Sequence, residues 1–169
     1  MPYAVTHVLV AIIVAELLRD YWKKFNLHYV LIAGIGGLLP DIDIIIFWLL
    51  SFFGYSIEMI HRTFSHSIWL VLFLVLIGFL VNKVYIKKYK LKLGWIFYFL
   101  ALGSFIHLML DGILLGSVFL FYPFSFFEMS FNLAKIVPWP DSFLAGLDAI
   151  LLVVWLIHED LKHNIRDFL

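Results

Sequence analysis

Five long apolar stretches separate short polar connections along this chain of 169 residues. A helix needs about 20 apolar residues to cross a bilayer, where its backbone must be hydrogen-bonded within its own segment. Hydrophobic residues make up 64% of the chain and charged residues 14%, against roughly 45–50% and 25% in soluble domains. We therefore predict a single all-α domain, a polytopic helical bundle embedded in a membrane. The predicted spans are residues 3–18, 29–53, 66–86, 93–121 and 142–157.

The net charge and the residue types exclude several classes of protein. The net charge at neutral pH is +0, whereas nucleic-acid binders carry a basic face, so no nucleic-acid partner is expected. The chain has no cysteine, which excludes disulfides, cysteine-type zinc sites and thiol nucleophiles. The first apolar stretch lacks a preceding basic region and a small-residue cleavage site, so we expect a retained span rather than a signal peptide.

Basic residues are concentrated in alternate connections, and this pattern predicts the orientation. Of the 12 basic residues, all but Arg62 and Lys135 lie between spans one and two, at the end of span three or between spans three and four, or after span five. Cytoplasmic loops carry the excess of lysine and arginine. We expect an integral protein of the cell or inner membrane, with the N-terminus outside and the C-terminus in the cytoplasm. The segment 122–141 is then an aromatic outer segment before the last span.

Histidine and aspartate residues lie within or beside the spans, where charged side chains cost roughly 2.5–3.5 kcal/mol on insertion scales. A chain retains them where they pair, line a wet cavity or bind a metal, and both types are ligands of zinc and similar ions. His107 and Asp111 are four residues apart in span four, which places both on one helix face. The alternative is a hydrogen bond that seals a buried polar pair.

The second span is predicted to break at Pro40, because proline removes a backbone donor and disrupts a helix. Gly36 and Gly37 soften the turn before it. Freed backbone groups at membrane depth are tolerated only where protein or a wet cavity satisfies them. Asp41 and Asp43 at this break are therefore candidate ligands or catalytic carboxylates. The alternative is that one of them caps the following half-helix.

The outer connection before span three carries His61, Arg62, Ser65 and His66. The two histidines are candidate ligands that would converge through a turn, and the alternative is a pair of interfacial histidines that reach headgroups. The guanidinium of Arg62 matches a phosphate in bidentate fashion, in a substrate or in an anionic lipid. Ser65 is a candidate cap for the helix of span three.

Depth estimates at about 1.5 Å per helical residue place these groups at one level. Asp41 lies roughly 18 Å and His107 roughly 21 Å from the inner edges of their spans, and His7 lies roughly 6 Å below the outer edge. In a hydrocarbon core about 30 Å thick, all fall in the outer half, which favours one shared site. Asp148 lies at similar depth, as a ligand, a partner that orients a histidine, or a partner of Ser104.

Taken together, these motifs resemble the YdjM-like family of predicted membrane-bound metal-dependent hydrolases, which is distantly similar to zinc-dependent phospholipases C. The resemblance covers roughly residues 1–115, the expected metal-site core. It implies one or two divalent ions, with zinc as the first expectation. The ligands that it implies are His7, Asp41 or Asp43, His61 or His66, His107, and Asp111.

The working hypothesis is metal-dependent hydrolysis of a phosphoester in a lipid or lipid-linked substrate at the outer leaflet. Asp41 or Asp43 would accept the proton of the attacking water, and Arg62 would hold the phosphate. A metal or proton transporter is one alternative, which requires polar groups towards the inner side, where Glu16 is the main candidate. Another is a non-catalytic protein whose polar cluster fixes helix packing. The oligomeric state is left open.

Overall fold

The computed structural model describes residues 4–23, 25–54, 65–114 and 116–163. Most of this part of the chain is helical, as predicted, and two short antiparallel hairpins add a little strand. The helices are α1 (Ala4–Trp22), α2 (Leu27–Gly36), α3 (Asp43–Ser51), α4 (Ile68–Leu80), α5 (Leu93–Ile113) and α6 (Pro140–His163). The strands are β1 (Tyr85–Ile86) paired with β2 (Leu91–Lys92), and β3 (Val118–Phe119) paired with β4 (Glu128–Met129).

The predicted break in the second span is present. Helix α2 ends at Gly36, and the backbone turns before a short 3-10 helix begins at Pro40. That turn ends at Ile42, and α3 starts with Asp43, whose carboxylate suits the positive end of the helix dipole. Both aspartates therefore lie where the helix is interrupted, but neither is an N-cap residue, since Leu39 and Ile42 take those positions.

Helix α5 lies at the centre of the bundle, packed against α1, α2 and α4. It runs in the same direction as α2. The starts of the two helices meet where the Tyr29 hydroxyl accepts a hydrogen bond from the Lys92 nitrogen, and Gly103 further along α5 meets the end of α2. The two helices approach closely at Gly103, where a Cβ atom would lie 2.6 Å from the nitrogen of Gly37. Small residues permit such backbone contact. This contact places His107, one turn further on, beside Gly37.

Helix α6 packs along α1 and leaves most of its apolar surface uncovered. Thr6 bonds Asp148 at one end, and Asp20 pairs with Lys162 at the other, so the two helices are parallel. Only 6% of the apolar stretch of α6 is buried, against 39% of that of α5. The exposed valine, leucine and isoleucine side chains of α6 are the surface expected of a helix in lipid.

The helix lengths support the membrane prediction only in part. Within the described residues, α5 and α6 are long and apolar enough to cross a membrane, and α2 and α4 are shorter apolar helices. Helix α5 ends at Ile113 rather than near residue 121, because the chain turns there into the β3–β4 hairpin, and the Phe131 nitrogen bonds the Gly112 carbonyl at 2.7 Å. Helix α6 extends beyond the predicted range 142–157 at both ends.

Candidate metal centre

Three histidines and three aspartates from distant parts of the chain meet beside the C-terminal half of α5. All but Asp41 are buried. Two groups of three residues have potential ligand atoms within 4.8 Å of one another, and they share His107. One group adds His7 and Asp111, and the other adds Asp41 and His66. The six residues are His7 on α1, Asp41 and Asp43 at the α2–α3 break, His66 before α4, and His107 and Asp111 on α5.

The ring of His107 is held by a backbone carbonyl. Its Nδ1 atom lies 2.7 Å from the oxygen of Gly37, and because a carbonyl only accepts, Nδ1 is the nitrogen that donates. In the neutral ring, Nε2 then presents a bare lone pair, which is the form that binds a metal. This Nε2 atom lies 3.6 Å from Oδ1 of Asp41 and 3.6 Å from Oδ2 of Asp111.

The ring of His66 is held by a carboxylate. Its Nδ1 atom lies 3.3 Å from Oδ2 of Asp43, and its Nε2 atom lies 3.4 Å from Oδ1 of Asp41. The hydroxyl of Ser65 donates to Asp43 at 2.6 Å, so it does not cap α4, whose N-cap residue is Ser67. Asp43 thus contacts the Nδ1 side of His66, whereas Asp41 contacts the Nε2 side.

The two rings direct their Nε2 atoms at each other. The Nε2 atoms of His66 and His107 are 3.3 Å apart, and oxygens of Asp41 and Asp111 lie 3.4–3.7 Å from them. Two lone pairs in this position repel unless a proton or a cation lies between them. Imidazole nitrogens and carboxylate oxygens are the donors that zinc and related divalent ions take. The residues present therefore fit a divalent metal ion.

His7 joins this group through Asp111. Its Nε2 atom lies 3.3 Å from Oδ1 of Asp111, and its ring stacks on that of His107 with centroids 3.9 Å apart. Oδ2 of the same carboxylate faces His66 and His107. One imidazole nitrogen binds one ion, whereas a carboxylate can bridge two. The arrangement thus suits one ion, or two ions that share Asp111.

Asp41 is the most accessible member of the cluster. Its side chain is 21% exposed, against 0% for those of His66 and His107. Its neighbours Leu38 and Ile42 expose 40% and 53% of their surfaces. The candidate metal centre is therefore most accessible at Asp41, in a turn that also exposes two apolar residues.

The remaining predicted site residues take other positions. Asp148 accepts a hydrogen bond of 2.6 Å from the hydroxyl of Thr6, the neighbour of His7. Ser104 donates to the carbonyl of Gly36 at 3.1 Å, so it stabilises the same turn that positions His107. His61 and Arg62 lie outside the described residues. The carbonyl of Gly37 has no sequence signature, because every residue carries one.

A second polar cluster lies at the opposite end of α1. Glu16, Asp20 and His158 also have potential ligand atoms within 4.8 Å of one another. Here, however, a guanidinium nitrogen of Arg19 lies 2.8 Å from Glu16 and 3.9 Å from the buried Glu159. Asp20 pairs with His158 and Lys162. No sequence motif links His158 to Glu16 and Asp20, because they lie on two helices far apart in the chain.

The whole chain was also compared with known proteins. Residues 1–163 match the family described as YdjM inner membrane protein. This chain belongs to that family. The match extends well past residue 115, where the recognisable motifs ended, so α6 and the aromatic segment belong to the family pattern too. No curated protein and no solved structure matches the chain.

Proposed function

We propose that this protein is a metal-dependent hydrolase that cleaves a phosphoester of a lipid or lipid-linked substrate at the outer leaflet. The observation that carries the proposal is the facing pair of Nε2 atoms on His66 and His107, 3.3 Å apart among carboxylate oxygens. His66, His107, Asp41 and Asp111 would hold the ion, and zinc is the first expectation for such a donor set. When bound, the ion supplies Lewis acidity and activates water for attack on phosphorus.

The residues around the ligands fix the geometry. The Gly37 carbonyl and the Asp43 carboxylate each hold one ring by its Nδ1 atom, and such partners orient a ligand and raise its basicity. Asp41 is also the candidate general base: its Oδ1 contacts both rings, and its second carboxylate oxygen would accept the proton on the accessible side of the cluster. Arg62 remains a candidate for holding the phosphate, on its sequence position alone.

The exposed apolar residues near Asp41, the accessible part of the candidate centre, support an amphipathic substrate. Leu38 and Ile42 flank Asp41, and a polar headgroup that reaches the centre there would leave its apolar chains against exposed helix surface. Membership of an inner membrane protein family supports the same substrate class, because the substrate would already lie in the bilayer. The concentration of basic residues in alternate connections supports an outer position for this end of the bundle.

The test compares matched double variants of the protein purified in detergent. His107→Gln/Asp111→Asn removes a histidine and an aspartate from the centre, and His158→Gln/Asp20→Asn removes the same types from the other cluster. We expect about one zinc-like ion per chain by elemental mass spectrometry, lost only in the first variant, together with phosphoester hydrolysis. A metal-loaded protein inactive on a panel of phosphoester lipids would contradict hydrolysis, and wild-type protein without metal after soaking would contradict the centre itself.

A metal or proton transporter is the second candidate, and one observation favours it. Glu16 and Glu159 are buried at the other end of α1, so polar groups occur near both ends of that helix. The buried residues between His7 and Glu16 include Leu9, Ala11 and Ile12, which are apolar. Metal-dependent uptake or proton flux in sealed vesicles, without turnover of phosphoesters, would favour transport over hydrolysis.

A further inference from the structure

A pocket lies where α2 and α5 begin, remote from the candidate metal centre. It has a volume of about 510 Å³ and lies between the α1–α2 connection and the β1–β2 hairpin. Pockets for small ligands commonly measure about 300–1,000 Å³. Helix α5 starts at this pocket and reaches His107 fourteen residues later, roughly 21 Å away. The pocket lining includes Asn26, Tyr29, Tyr85, Lys90, Lys92 and Trp95.

The charge of this region is strongly positive. Five lysines occur between residues 83 and 92, and the sequence contains no aspartate or glutamate between Glu58 and Asp111. All five lysines are exposed, but only Lys90 and Lys92 line the pocket. A group of lysines at a membrane surface attracts anionic headgroups, so these two ammonium groups are suited to a phosphate.

The hairpin holds the two pocket lysines in place. Leu91 between them is 5% exposed and packs into the core cluster that contains Phe25, Tyr29 and Phe99. The Lys92 nitrogen donates to the Tyr29 hydroxyl at 2.7 Å. The pocket is therefore anchored to the helical core and is not formed by a free lysine-rich tail.

The other lining groups fit the remaining parts of a phospholipid. Tyr85 and Trp95 are residues typical of the boundary between headgroups and hydrocarbon. The side-chain oxygen of Asn26 is buried without a hydrogen-bond partner among the described residues, so it can accept from a headgroup hydroxyl. We propose that this pocket binds the phosphate headgroup of an anionic phospholipid. The proposal is independent of the hydrolase proposal, since it involves none of the metal-centre residues.

The test measures retention of phosphatidylglycerol against phosphatidylcholine by native mass spectrometry of the protein in detergent. The variant Lys90→Asn/Lys92→Gln removes both pocket charges, and asparagine tolerates the positive φ of 53° at position 90. The control Lys87→Gln/Lys88→Gln removes the same charge from the same hairpin outside the pocket. At about fivefold per contacting lysine, we expect the pocket variant to lose roughly 25-fold in phosphatidylglycerol affinity. The control should lose far less, because Lys87 and Lys88 do not line the pocket.

The possible outcomes distinguish a lipid pocket from a general attraction to surface charge and from a free-phosphate site. Equal losses in the two variants would overturn the pocket and leave a general attraction to surface charge. Displacement of the lipid by millimolar inorganic phosphate would overturn a phospholipid ligand and leave a free-phosphate site. Equal retention of both lipids by the wild type would overturn the proposal outright. The melting temperature of each variant, measured beside wild type, confirms that the folded protein is compared.

Discussion

The two polar clusters along α1 use the same residue types and arrive at opposite electrostatic solutions. At one end, the described imidazoles and carboxylates direct lone pairs at a common point, where a proton or an added cation would stabilise them. At the other, Arg19 lies 2.8 Å from Glu16, and Lys162 pairs with Asp20, so the cations belong to the chain itself. Proximity of ligand types therefore does not by itself define a metal site, because in the second cluster the described residues already include the cations.

Removal of metal gives the largest expected effect. Chelation should destabilise the wild type by about 4 kcal/mol if the ion was present at 1,000 times its Kd, because repulsion within the metal centre is no longer offset. The readout is thermal unfolding in detergent with and without chelator. His66→Ala should melt at the same temperature in both conditions, whereas His158→Ala should keep the full difference. If chelation no longer changed the melting temperature of His158→Ala, the metal would instead bind at the cluster of Glu16, Asp20 and His158.

Arg19→Ala is expected to cost about 3 kcal/mol of stability, because it leaves Glu16 and Glu159 buried without their guanidinium. The side chain of Glu16 is only 2% exposed. The measurements are the melting temperature and the metal content, of which only the first should fall. Arg19→Lys, which keeps the charge, should recover part of the loss. A variant as stable as wild type would mean that Arg19 does not stabilise these glutamates.

Asp43→Asn should weaken metal binding by about 10–100-fold, the usual cost of losing a partner that orients a ligand. The amide keeps the shape beside His66 but loses the negative charge that favours Nδ1 as donor. Metal titration of the stripped protein provides the affinity. Asp160→Asn, an exposed site on α6, makes the same charge change and should leave affinity unchanged. A complete loss of metal in Asp43→Asn would instead make Asp43 a direct ligand.

The smallest effect is expected for Lys162→Ala. This side chain is 55% exposed, and exposed ion pairs contribute about 1 kcal/mol or less. We expect a small fall in melting temperature relative to wild type, and a still smaller fall at high salt, which screens the ion pair. A loss as large as that of Arg19→Ala would indicate that Lys162 is the principal cation of this cluster.

Much of the candidate metal centre could be predicted from the sequence because its residues interrupt apolar stretches. His7, His66, His107 and Asp111 were selected for their cost in a membrane, and depth along straight helices predicted that they share one level. The break near Pro40 followed from the missing backbone donor. The distinct contacts of Asp41 and Asp43 did not follow, since both lie in one turn and their directions depend on how α3 leaves it.

The sequence by itself determined that this protein belongs in a membrane, that its second apolar stretch is interrupted, and which imidazoles and carboxylates are candidates for the cluster. These properties depend on local composition and on the cost of polar groups in lipid. The tertiary structure decided which ring nitrogen faces which partner, that α6 is parallel to α1, and that the Glu16 cluster has its own cations. Those properties depend on helix rotation and on contacts such as His107 with the Gly37 carbonyl, which no single segment encodes.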